Sequence, residues 1–274
     1  MTIDSNRHAA DVRGLVDELF EASTDGLFVV NPTAEVVEGV TDVATEFGDE
    51  SPSVRILADG SLLKSVLDDF LVASNAADLV ASDVLDLRTP DGDAENALVL
   101  TDETVLALVS AGDRVAALAD DDPDFVAAVE ETYETAWDDA DPYNLRTPPL
   151  SRVRETLAEE IGEATRDDFD AVLSSLDAVR GDGDGIDEVT LCLLVAAKND
   201  VLLYDISKWG EDVGIASKAT FSRTKTRLED RGLVDTEKVP IDVGRPRLRL
   251  KLGDDRLRGA DADELAAVAT SLLA

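Results

Sequence analysis

Cysteine and histidine are almost missing from this 274-residue chain, which has one of each, Cys192 and His8. Their scarcity excludes a disulfide framework and any zinc site built from those side chains alone. His-based catalysis would have to rest on His8 alone. Phosphate loops are absent, because no glycine-rich run ends in Gly-Lys-Ser/Thr. The one glycine-dense stretch, GDGDG at 181–185, fails as a calcium loop: counted from Asp182, Ile186 and Asp187 stand where Asp/Asn and then Gly are needed. It fails as a dinucleotide fingerprint too, since no strand leads into it. No cofactor, no metal site and no catalytic residue is therefore expected. No apolar run approaches the roughly 20 residues of a membrane span. Residues 1–22 lack the basic flank and apolar core of a secretory signal, so a cytoplasmic protein is expected.

Positive charge is sparse as well. Twenty-five Lys and Arg stand against 60 Asp and Glu, a formal net charge of −35, and aromatics are 4% of residues. So carboxylated a surface suits a halophile, because at about 1 M salt the Debye length is near ~3 Å and like charges repel only at very short range. Apolar residues reach 44% and recur periodically, which argues against a disordered acidic chain. The length suits two domains. The excess acid lies entirely in residues 1–197, whereas 198–274 hold 14 basic and 14 acidic residues. Six of the seven lysines (Lys198, Lys208, Lys218, Lys225, Lys238 and Lys251) sit in that second part.

The first part reads as an α/β domain over 1–149, sensory or dimerising. Val12, Leu15, Val16, Leu19 and Phe20 give one helical face within 5–21. Short aliphatic runs at 27–30, 54–58, 84–88, 97–100 and 105–109, separated by Asp, Gly and Pro, read as strands. A helix at 61–73, carrying Leu62, Val66 and Phe70, alternates with them. Pro123 opens a helix in which Phe125, Val129, Tyr133 and Trp137 form a stripe expected to be core. DPYNLRTPP at 141–149 ends the domain. Two amphipathic helices, 153–161 and 169–179, and the GDGDG linker make a helical connector over 150–185 that joins the halves or offers a dimer surface.

Residues 186–274 read as a winged helix-turn-helix. VTLCLLVAA at 189–197 is apolar nearly all round, which makes Cys192 a core residue. A short helix at 203–213 turns Ile206 and Trp209 inward, and Gly214 and Ile215 make the turn. Ser217 caps a helix to about Arg231 that packs through Phe221 and Leu228, with Thr224 and Lys225 beside them. Its opposite face offers Ala219, Thr220, Arg223, Thr226 and Arg227, side chains suited to a major groove. Two strands, 233–239 and 248–252, enclose PIDVGRPR, a wing whose tip carries Gly244, Arg245 and Arg247. Leu265, Val268 and Leu272 make a last helical stripe, expected to complete this fold. From Gly214 to Lys251 there are ten cations and five anions, a local net of +5. The DNA-contacting set expected is Ser217, Lys218, Thr220, Ser222, Arg223, Thr226, Arg227, Gly244, Arg245 and Arg247. The alternative, a winged helix that only docks proteins, leaves the cationic tip without a purpose.

SKATFSRTKTRLEDRGLV at 217–234 is similar to the recognition helix of many archaeal and bacterial winged-helix regulators. Over its whole length, with VRILADGSLLKSVLDDF at 54–70 and LRTPPLSRV at 145–153, the chain resembles the haloarchaeal TbsP-type transcriptional regulators. That resemblance implies a promoter-binding protein and control of central-carbon genes, at promoters shared with TrmB-type sugar-responsive regulators; the arrangement of the two domains is expected to form a homodimer. The first half also resembles distantly the ligand-sensing halves of such regulators, which implies a small-molecule effector. No ligand residue carries over, because no sugar-binding motif is matched.

Overall fold

The computed structural model describes residues 7–9, 12–23, 26–92, 96–111, 114–177, 186–241 and 246–273. It divides into two compact units, Met1–Pro149 and Leu150–Ala274. The GDGDG segment lies outside the described residues.

Unit 1 is a mixed α/β layer structure. Its strands are β1 (Arg7–Ala9), β2 (Leu27–Val30), β3 (Val54–Leu57), β4 (Leu85–Thr89), β5 (Leu98–Leu100), β6 (Val105–Ala111), β7 (Arg114–Asp120) and β8 (Asp141–Pro142). They join in the order β1-β7-β6-β5-β2-β3-β4-β8. β2, β3 and β4 run parallel, and the remaining pairings are antiparallel. Helices α1 (Val12–Ala22), α2 (Ala34–Phe47), α3 (Gly60–Val66) and α4 (Phe70–Ala81) contribute to the core on one face, with Val16, Val40, Leu63 and Ile56 among its members. A second helix layer, α5 (Pro123–Asp139), seals Phe28, Val30, Leu57 and Trp137 on the other.

Several local expectations change here. The helix expected over 5–21 begins only at Val12, and Arg7–Ala9 is instead a strand registered on Val115–Ala117 of β7. Pairing with the open edge of β7 outweighs helix propensity in three residues. His8 is thus a strand residue, opposite Ala116. The helix expected over 61–73 is two helices, because the Asp69 carboxylate accepts from Leu71 N and Val72 N and caps a fresh start at Phe70. α2, β7 and β8 have no counterpart in the expectations above. The α5 stripe is only partly core: Trp137 is buried and Val129 and Tyr133 are partly buried, whereas Phe125 is 48% exposed and its neighbour Val126, outside the stripe, is buried instead.

Unit 2 is helical with one hairpin: α6 (Leu150–Glu160), α7 (Glu163–Asp177), α8 (Glu188–Lys198), α9 (Leu203–Val213), α10 (Lys218–Asp230), β9 (Val234–Val239), β10 (Arg247–Leu252), α11 (Asp255–Gly259) and α12 (Ala262–Leu273). α6 and α7 pack within this unit, α7 on α8 and α12, and α6 on α9, where the Trp209 indole donates to Thr156 Oγ1 at 3.0 Å. α8 is buried from Val189 to Ala197, as its all-round apolar sequence requires. Burial pushes the Cys192 thiol well above its usual range, so it stays a neutral core side chain. Among the described residues no helix is long and apolar enough to cross a membrane.

Gly210 sets how closely α10 approaches α9. A Cβ placed there would lie 2.4 Å from the Phe221 ring, which is fully buried, so that something must shift. Alanine favours a helix interior over glycine by about 1 kcal/mol, but overpacking of this kind costs about 1–3 kcal/mol, so the clash wins. We expect Gly210→Ala to lower the denaturation midpoint of unit 2, followed by Trp209 fluorescence. An unchanged or higher midpoint contradicts the close approach.

Candidate nucleic-acid interface

Three devices place α10. The Asp187 side chain caps α8 by accepting from Thr190 N. Gly214 ends α9 in the left-handed region at φ 102°, a conformation that glycine adopts without Cβ strain, and turns the chain toward Ser217. The Ser217 hydroxyl then accepts from Thr220 N at 3.2 Å and starts α10. Phe221 and Leu228 are buried under the helix. Lys225 is buried along its stem, and its ammonium reaches Glu229 at 2.7 Å, which in turn accepts from the Thr236 hydroxyl on β9.

The opposite face of α10 is open. Ala219, Ser222, Arg223, Thr226 and Arg227 are exposed, and Lys218 and Thr220 are half-buried at the N-terminal end. Arg223 donates to Thr220 Oγ1 at 3.3 Å. Among the described residues it has no carboxylate partner. Arg227 stands elsewhere than a row of groove-facing side chains suggests: its guanidinium donates to Asp187 Oδ2 at 3.0 Å and to Thr190 Oγ1 at 3.2 Å, tying α10 to the start of α8. Lys218 is paired with Glu211 of α9 at 2.5 Å. That contact raises the lysine's pKa and holds the Glu211 carboxyl below its usual range.

The wing is the antiparallel pair β9–β10, in register from Val234↔Leu252 to Val239↔Arg247. Arg247 lies 4.3 Å over the Tyr204 ring and 3.3 Å from Asp205, both in the first turn of α9. The tip residues Gly244 and Arg245 lie outside the described residues. Arg249 and Lys251 also meet carboxylates, Glu237 and Asp200. The local excess of five positive charges is therefore not a bare cationic face. Asp187, Asp200, Asp205 and Glu211 all precede Gly214 and neutralise cations downstream.

Unit 1 offers a second feature, a cleft of about 270 Å³ between the starts of β2 and β3 and the helix α5. Arg55 lies in it, stacked at 4.5 Å on Phe28 and joined to Glu134 by two hydrogen bonds of 2.5 and 2.9 Å. The Arg55 hydrogen bonds hold the Glu134 carboxyl below its usual range. Among the described residues no group of His, Cys, Asp and Glu is arranged to hold a metal ion.

Comparison with known proteins places these two units. Residues 4–148 match the N-terminal domain of the TbsP-like transcriptional regulators, and residues 149–270 match their C-terminal helix-turn-helix domain. No curated protein matches in sequence. Among solved structures, the archaeal chromatin protein TrmBL2, described as showing a novel mode of DNA binding, is similar at 14% identity and a TM-score of 0.39. The match covers 52% of this chain and 55% of that one, little more than half its length. The phospholipase D family member Nuc from Salmonella typhimurium is similar at 14% identity and a TM-score of 0.38, over 51% of this chain and 98% of that one. NucT from Helicobacter pylori follows at 9% identity and a TM-score of 0.34, over 50% and 98%. None of these three structural likenesses carries the assignment, which rests on two family matches that adjoin between residues 148 and 149 and together run along nearly the whole chain: the protein belongs to the TbsP-like transcriptional regulators, DNA-binding regulators with a C-terminal helix-turn-helix domain.

Proposed function

We propose that the protein reads promoter DNA of a haloarchaeon through α10 in the major groove, with the wing against the backbone or minor groove. The observation that carries this reading is the open face of α10, where small and hydroxylated side chains surround Arg223, an arginine with no carboxylate partner among the described residues. Ser217, Lys218, Thr220, Ser222, Thr226 and Arg227, and Gly244, Arg245 and Arg247 of the wing, supply the remaining contacts. The net charge of −35 supports the halophilic setting. Control of central-carbon genes, at promoters shared with a TrmB-type regulator, follows from the family resemblance. We assign a homodimer, supported by the exposed apolar side chains Val109 and Leu118 on the sheet and Phe125 on α5. A small-molecule effector at unit 1 would have the Arg55–Glu134 cleft as its site.

The reading is tested by selecting binding sites from random duplexes with the full-length chain at high salt. One enriched motif, with two half-sites for a dimer, is expected. If successive rounds enrich no sequence, the assignment of α10 as a reader of bases is wrong.

A further inference from the structure

Three cations that the DNA face would offer to phosphate are already held. Glu211 holds Lys218, Asp187 holds Arg227 and Asp205 holds Arg247, at 2.5, 3.0 and 3.3 Å. The three pairs lie at different places: the N-terminus of α10, its last turns, and the loop-side end of β10 in the wing. All six side chains are between 39% and 53% exposed, so the pairs sit on the surface where a nucleic acid would arrive. Two of the acids, Glu211 and Asp187, are held in the ionised form. Hydrogen bonds from Lys218 hold Glu211 low. At Asp187 burial pushes the pKa up, and the bonds from Thr190 and Arg227 outweigh it.

We propose that Asp187, Asp205 and Glu211 are internal competitors of DNA phosphate, which occupy the cations of the DNA face in the free protein and set the affinity and the salt response of the complex. This rests on the DNA-binding reading above. The step is an exchange of acceptors: each cation gives up a carboxylate oxygen and takes a phosphate oxygen, both of which accept charge-assisted hydrogen bonds of the same kind. Exposed ion pairs are individually weak, so the exchange is open to phosphate. The displaced carboxylate stays tethered near the phosphate that replaced it, and the two anions repel. Each acid therefore opposes binding twice, through the bond surrendered and through the repulsion left behind.

Salt acts on these terms in opposite senses. It weakens the attraction of cations for phosphate, and it also loosens the clamps and screens the carboxylate–phosphate repulsion. The wild-type chain therefore loses less affinity with rising salt than its number of phosphate-facing cations implies.

The test compares full-length wild type with Glu211→Gln, Asp187→Asn, Asp205→Asn and the triple variant. Asparagine still caps α8, so Asp187→Asn removes charge and keeps the helix start. The probes are the duplex most enriched in the selection and a mixed-sequence duplex of equal length, read by fluorescence anisotropy as KCl rises. At the lowest salt each substitution is expected to tighten binding about threefold to tenfold. The slope of log K against log salt should steepen by about 1 for each carboxylate removed, and the curves should converge at high salt. Folded variants with unchanged slopes and equal or weaker affinity overturn the proposal. A purely structural role for the acids would lower the unfolding midpoint and leave the slope where it was. If neither wild type nor triple variant binds either duplex at any salt, the DNA-binding reading itself fails, and this proposal with it.

Discussion

Arg223→Ala is expected to weaken binding to the selected duplex by about 1–3 kcal/mol, or roughly fivefold to more than a hundredfold, and to flatten preference at one base position. Arg223 is on the open face of α10, one turn after Thr220, and the Thr220 hydroxyl is the single hydrogen-bond acceptor found for it among the described residues. A guanidinium without a carboxylate clamp enters the groove without first breaking an ion pair, and its planar fork matches the two acceptors of guanine. Lys218 and Arg227 lack that freedom, since Glu211 and Asp187 hold them. The loss should depend on sequence: duplexes altered at the contacted base should lose little further affinity to the alanine variant. Competition against single-base variants of the duplex measures this. Equal losses on every duplex would reduce Arg223 to a phosphate contact. Because the residue is exposed, the unfolding midpoint should not move.

The C-terminal unit was far more legible in the sequence than the N-terminal one. Its helices carry their own start signals: Asp187 and Ser217 both cap in the structure, and Gly214 takes the left-handed turn between α9 and α10. Phe221 and Leu228, seven residues apart, fix the buried face of α10 without reference to anything distant. The N-terminal sheet depends on partners far along the chain. β1 exists because Val115–Ala117 offers it an edge, over a hundred residues later. α2 hides its helical face behind Val36, Val37, Val40 and Val43, a β-branched composition that speaks for strand while the burial follows a helical period. The break between α3 and α4 was available in Asp69, whose capping role competes with the apolar spacing running across it.

Charge was legible in amount and misleading in arrangement. Counting from Gly214 to Lys251 finds the excess of cations but leaves out Asp187, Asp200, Asp205 and Glu211, which reach the same surface from α8, α9 and the turn between them. A surface potential is a property of neighbours in space, and a sequence window samples neighbours in the chain. Arg223 stands apart because no carboxylate from the adjoining elements meets it, a distinction that only the packing of α8 and α9 against α10 could draw.

The same packing makes Phe221 a residue on which the position of α10 depends. Its ring is fully buried beneath α10 and fills the space that Gly210 leaves open on α9. Phe221→Ala should destabilise unit 2 by about 3–5 kcal/mol, the range for emptying an aromatic site in a core that relaxes only partly. Gly210 has no side chain to move into the void. The chain has two tryptophans, one in each unit, so Trp209 fluorescence in a Trp137→Phe background reports on unit 2. A double-mutant cycle separates this ring–glycine contact from general loss of apolar surface. On a Phe221→Leu background, where the ring atoms facing Gly210 are gone, Gly210→Ala should cost less than it does in the wild type, and alanine's better helix propensity can reverse its sign. Strictly additive costs would mean that α10 is held against α9 by other contacts, and that the position of Arg223 does not depend on this ring.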